Sequence, residues 1–84
     1  MIMRIKDELK FRTKDFYISA FLLAKGLSLS SVDRTNPREI FFVFNDVETR
    51  ESLVEEFLFG KAQVDVKGFI TAIKELKQLL HSND

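Results

Sequence analysis

Apolar and polar positions alternate at two periods along this chain. Ile40-Phe41-Phe42-Val43-Phe44 is an unbroken apolar run between the only proline, Pro37, and Asn45-Asp46. Aromatic and β-branched residues in so short a run predict a strand. Side chains alternate across it, so Ile40, Phe42 and Phe44 share one face and Phe41 and Val43 the other. Both faces are apolar, whereas an antiparallel sheet in a small protein commonly leaves one face wet. A helix of this chain, a second copy or a partner is therefore expected to cover Phe41 and Val43.

Around this strand the pattern predicts an α+β domain. Thr13 as N-cap and Asp15 in the first turn predict a helix over 14–25, closed by Gly26 at the left-handed position with Leu27 folding back. Its residues are apolar nearly all round, Ile18, Phe21 and Leu22 included, which places it at the centre of the core or in an interface. Residues 27–33 read as a strand, Asp33 to Pro37 as the turn, and 39–45 as the returning strand. Residues 9–12 are a candidate third strand.

Asn45 or Asp46 should cap a helix over 47–59. It turns Val47, Leu53, Val54, Phe57 and Leu58 inward and Glu51, Glu55 and Glu56 outward, and ends at Gly60. Ala62 to Val64 reads as a link that could form a brief edge strand. Asp65 caps a last helix over 66–81, with Val64 and Phe69 placed as a hydrophobic staple and an inward stripe of Phe69, Ala72, Ile73, Leu76 and Leu80. Helices one and three are expected on the same sheet face.

Length and composition sharpen this picture. Eighty-four residues make one domain, with 1–8 and 82–84 expected to fray. Nine Phe without Trp means an aromatic content with no polar handle, suited to core or interface. The absence of cysteine removes disulfides, thiolate metal sites and a cysteine nucleophile, and fits a reducing cytoplasm. No signal peptide is visible, and no apolar stretch approaches the length that spans a bilayer.

The net charge of zero argues against dominant nucleic-acid or membrane electrostatics, but the charge is unevenly spread. Residues 1–14 hold five cations against two anions, and residues 38–60 hold two cations against six anions.

Candidate chemistry is sparse. His81, the single histidine, lies near the C-terminus, a poor place for a general base that needs a cleft and an orienting partner. Glu51 and Glu55 share a helix face, yet no further ligand joins them for a hard cation, and a solvated face is the simpler reading. Ser28, Ser30 and Ser31 lack the strand-to-helix elbow that exposes a nucleophile. The three glycines form no phosphate-binding loop. Neither a cofactor nor a metal is expected.

RNA-recognition domains carry base-stacking aromatics on a central strand. Here only Arg38, Phe42 and Val43 overlap that motif, with Glu39 and Phe41 in its small positions and Asn45 in its last aromatic one. Core packing is the leading reading of the phenylalanines, then a protein interface, then base stacking.

The pattern Phe11-x-Thr13-x-Asp15, a helix closing at Gly26, Phe42-Val43-Phe44 and a final Leu76-Lys77 helix resembles a family of short bacterial proteins catalogued as a domain of unknown function. The resemblance implies a small stand-alone cytosolic protein carried on phage or other mobile DNA, and brings no activity or site residues with it.

The expectation is a non-enzymatic binding or regulatory module, homodimeric, with Phe41, Val43, Ile18, Phe21 and Leu22 as its protein interface. The alternative is a weak nucleic-acid-binding accessory protein whose patch comprises Arg4, Lys6, Lys10, Arg12, Lys14 and Arg34. No membrane contact is expected.

Overall fold

A computed structural model describes residues 9–82. The expected fraying of 1–8 and of 83–84 lies outside the described residues. The chain runs β1 (Lys10–Thr13), α1 (Phe16–Ala24), β2 (Leu29–Asn36), β3 (Glu39–Asn45), α2 (Arg50–Leu58) and α3 (Val66–His81). The sheet has the order β1-β3-β2 and is antiparallel throughout, so the phenylalanine strand is central. This is the expected small α+β fold with its third strand present.

The termini of the elements show why they start and stop. Thr13 is the last residue of β1, and its hydroxyl accepts the Asp15 N–H at 3.1 Å. Asp15, not Thr13, is the N-cap of α1: its carboxylate accepts the Ile18 N–H at 2.9 Å. Gly26, at φ +105°, closes α1 in a Schellman arrangement, with Leu27 N–H donating to Leu22 O and Gly26 N–H to Leu23 O, both at 3.1 Å. Ser19 is fully buried on α1, and its hydroxyl donates to Asp15 O at 2.8 Å, so it leaves no orphaned polar group.

The strand β2 runs past the expected turn. Asp33 to Asn36 stay in the strand, and Pro37-Arg38 alone turn the chain. Two side chains make this possible: Asp33 accepts the Thr35 N–H at 2.9 Å and Asn36 accepts the Arg38 N–H at 3.0 Å. The register against β3 slips between Leu29 and Ser31 and again between Asp33 and Asn36. Such bulges increase twist and blunt an edge strand.

The helix α2 begins later than expected, at Arg50, and neither Asn45 nor Asp46 caps it. Asp46 is engaged elsewhere, accepting the Val47 N–H at 3.0 Å and holding Arg50 through two bonds of 3.0 and 3.2 Å. Val47 and Leu58, expected inward, are exposed. Ala62 to Val64 forms no strand; Ala62 and Val64 pack on the core while Gln63 O accepts from Lys25 Nζ at 3.0 Å. Asp65 caps α3 as expected, accepting the Gly68 N–H at 2.8 Å, and Val64 and Phe69 both pack at the core margin.

The core lies between the sheet face bearing Phe42 and Phe44 and the helices α1 and α3. Phe21, Leu22, Phe44 and Leu76 are the largest fully buried apolar side chains among the described residues. Helix α2 adds Leu53, Val54 and Phe57, the last with its ring 5.5 Å from that of Phe21. Helix α1 is apolar over most of its surface because the sheet, α2 and α3 pack against it, leaving Tyr17 exposed.

Candidate functional site: the open face of the sheet

Among the described residues, no helix covers the second sheet face. Pairing brings Lys10 opposite Asn45, Arg12 opposite Val43 and Asp33 opposite Phe41, so these residues and the intervening serines of β2 line one surface. Adjacent strands lie about 4.8 Å apart, so a side chain reaching from β1 to β2 must cross some 10 Å over β3. Two do. Arg12 Nη1 reaches Asp33 Oδ2 at 3.0 Å, with its guanidinium 4.4 Å from the centre of the Phe41 ring. Lys10 Nζ donates to Asn45 Oδ1 at 2.7 Å and to Ser30 Oγ at 3.2 Å. Asn45 in turn donates to Ser28 Oγ at 2.8 Å.

Phe41 and Val43 are therefore roofed by the chain's own basic side chains. Val43 keeps only 8% of its surface exposed without any helix above it. The expected interface of Phe41, Val43, Ile18, Phe21 and Leu22 does not assemble. Ile18, Phe21 and Leu22 lie inside the core, while Phe41 and Val43 lie on the opposite face, Phe41 beneath Arg12.

The basic candidates divide differently. Lys10, Arg12 and Lys14 come together along β1 and its exit, Lys14 pairing with Glu39 at 3.3 Å. Arg34 stands apart, its guanidinium donating to Leu79 O and Leu80 O at the C-terminus of α3, where a cation complements the helix dipole. Arg4 and Lys6 lie outside the described residues.

The perturbed titratable groups all belong to ion pairs. The Thr35 N–H and hydroxyl, then the Arg12 guanidinium, lower Asp33 to about 2. Hydrogen bonds from Arg50 hold Asp46 below the usual carboxylate range, and Asp46 raises Arg50 in return. Arg50 also lies 4.2 Å from the centre of the Phe11 ring. The pattern of an Asp-held arginine over a phenylalanine thus occurs twice, at Phe41 and at Phe11. His81 ends α3 with its side chain exposed, and Glu51, Glu55 and Glu56 line the outer side of α2. Among the described residues no three His, Cys, Asp or Glu side chains are grouped to hold a metal ion. Nor is any of their helices long and apolar enough to cross a membrane.

The largest exposed aromatic surface is elsewhere. Phe59, just past α2, is 74% exposed and Leu58 beside it 64%. Phe59 borders an open depression together with Ser52, Glu55, Glu56 and Lys61. Sequence reasoning assigned Leu58 to the core and gave Phe59 no role. The signal that could have found this surface is Gly60: at φ +74° it ends the helix directly after Phe59, the C-cap residue.

A family model described as a domain of unknown function, DUF5659, matches residues 8–82. Neither the curated proteins nor the solved structures give a match.

Proposed function

Since this chain belongs to the DUF5659 family, which brings no activity with it, we propose from its geometry that it is a non-enzymatic binding module acting through protein–protein contact, with a second copy of itself as the partner. The exposed Phe59 with its charged surround carries this reading. An apolar centre with a polar rim is the anatomy of an interface core. A two-fold dimer requires a self-complementary patch. Glu55, Glu56 and the oppositely charged Lys61 all border the depression at Phe59, so a two-fold axis through this patch can set the lysine of one copy against the glutamates of the other. The absence of cysteine supports a cytosolic setting.

Light scattering over a concentration series up to the high micromolar range tests this reading. The mass should rise toward that of a dimer, and Phe59→Ser, at a position too exposed to matter for folding, should return it to monomer. Lys61→Glu should weaken association, and Glu55→Lys with Glu56→Lys in the same chain should restore it. A mass that stays monomeric over the whole range overturns the proposal.

The alignment of Lys10, Arg12 and Lys14 favours a second reading, weak binding of nucleic acid on the open sheet face. Arg12 and Lys14 are each paired with an acid, which lowers the net charge on offer, while Lys10 bonds only the neutral Asn45 and Ser30. A single-stranded oligonucleotide titrated at rising salt separates the readings: affinity falling steeply with salt, with a logarithmic slope of about −2 for three phosphate contacts, supports it. Absence of binding at low salt removes it.

A further inference from the structure

A cleft of about 430 Å³ opens where the hairpin turn meets the start of α1 and the end of α3. That is within the usual range for small-molecule sites, about 300–1,000 Å³. Its floor is apolar: Phe16, Ile40 and Leu80 surround the buried Phe42, with the Phe16 and Phe42 rings edge to face at 6.2 Å.

The rim is charged. Lys14 and Glu39 face each other at 3.3 Å, so their charges largely offset. Arg38, in the turn, takes part in none of the ion pairs among the described residues, which join Arg12, Lys14 and Arg50 to acids. Its only hydrogen bond among those residues is through its backbone N–H, to Asn36. One uncommitted guanidinium therefore stands at the edge of an aromatic and aliphatic floor, and the rim carries a net positive charge.

We propose that this cleft binds a small amphipathic carboxylate, its alkyl chain on the Phe16–Phe42 floor and its carboxylate on Arg38. A guanidinium presents parallel donors that match a carboxylate bidentately, a geometry a lysine does not offer. The floor takes the chain by ordinary burial of apolar surface. A cationic amphiphile is disfavoured, since its head group would meet Arg38 and find Glu39 already held by Lys14. The site is open on one side, which suits a linear ligand that keeps part of its chain in water.

An amide-resolved NMR titration with octanoate tests the proposal. Saturable shifts should appear at the backbone amides of residues 14–16, 38–42 and 80. Octylamine, of the same chain length and opposite charge, should give none there. Arg38→Glu should weaken octanoate binding at least about tenfold, the loss of roughly one charged hydrogen-bonding pair. Arg38 lies in an exposed turn and its side chain makes no hydrogen bond or ion pair among the described residues, so an unchanged amide spectrum for the free variant is the control for folding. Shifts scattered over the surface, an equal response to octylamine, or an Arg38→Glu variant that titrates like the wild type would each overturn the assignment. None of these outcomes bears on self-association at Phe59.

Discussion

Asp33 receives the Thr35 N–H on one oxygen and the Arg12 guanidinium on the other, and both bonds favour its ionised form. Its pKa falls to about 2 from 3.8 in the unfolded chain. The sign of the linkage follows. Above about pH 5 the carboxylate is ionised in both states and its stabilising contribution is complete. Below that the unfolded chain takes up the proton first, and the contribution is lost as the pH falls through 3.8 toward 2. Denaturant unfolding between pH 5 and pH 2 should therefore show a loss of stability in that window, smaller in Asp33→Asn than in the wild type. Asp46, lowered by Arg50, adds to the same acid-side loss in both proteins. An Asp33→Asn variant with an undiminished acid transition would mean that the Thr35 and Arg12 bonds do not form in solution. Asp33 also marks where reading by sequence stops. As Asp in an Asp-Arg-Thr-Asn-Pro run it signals a turn; its role in a strand depends on Arg12, twenty-one positions earlier, which no local pattern reveals.

At the scale of elements, what local chemistry decides was legible and what distant pairing decides was not. Gly26 and Asp65 act within one helical turn, and both do what their sequence context indicates. The starts of α1 and α2 differ because neighbours claimed the expected caps: Thr13 joined β1, and Asp46 took Arg50. Gly26 offers the sharpest test. A Cβ there meets nothing within 4 Å, so any cost of Gly26→Ala is a backbone cost alone. A positive φ penalises an L side chain by about 1–2 kcal/mol. Chemical denaturation should show a loss of that size, with the spectrum of the folded state unchanged. A neutral substitution would mean that the helix can close without its left-handed residue, and that the Leu27 N–H bond to Leu22 O is not what fixes the entry into β2.

For the whole molecule, the question is how eighty-four residues cover a sheet whose central strand is apolar on both faces. One face takes the helices, with α1 at the centre and α2 and α3 around it. The other is covered by no helix or strand among the described residues. The order β1-β3-β2 puts a basic edge strand beside Phe41 and Val43, and the stems of Lys10 and Arg12 are long enough to lie across them while their heads stay in water. The candidate interface was misplaced for this reason: periodicity shows that Phe41 and Val43 share a face, but only strand order shows that Arg12 lies over it.

The roof gives the last prediction. Stacking of a guanidinium on an exposed ring contributes only about 0.5–1 kcal/mol, so Arg12→Ala should cost little stability. It should instead change the surface, baring Phe41 and Val43 on an open sheet, the kind of patch that promotes association. A dye that fluoresces on apolar surface should respond to Arg12→Ala and not to the wild type. In a Phe59→Ser background, where the proposed dimer contact is absent, Arg12→Ala should associate at concentrations where its parent does not. Arg12→Lys keeps the charge but loses the flat face that covers the ring, and should fall between the two. If Arg12→Ala binds no dye and scatters light like its parent, then Lys10 and the serines of β2 suffice to cover the face and Arg12 acts only through Asp33. The Asp33→Asn variant distinguishes that case, since it removes the anchor and leaves the guanidinium free to stay on the ring.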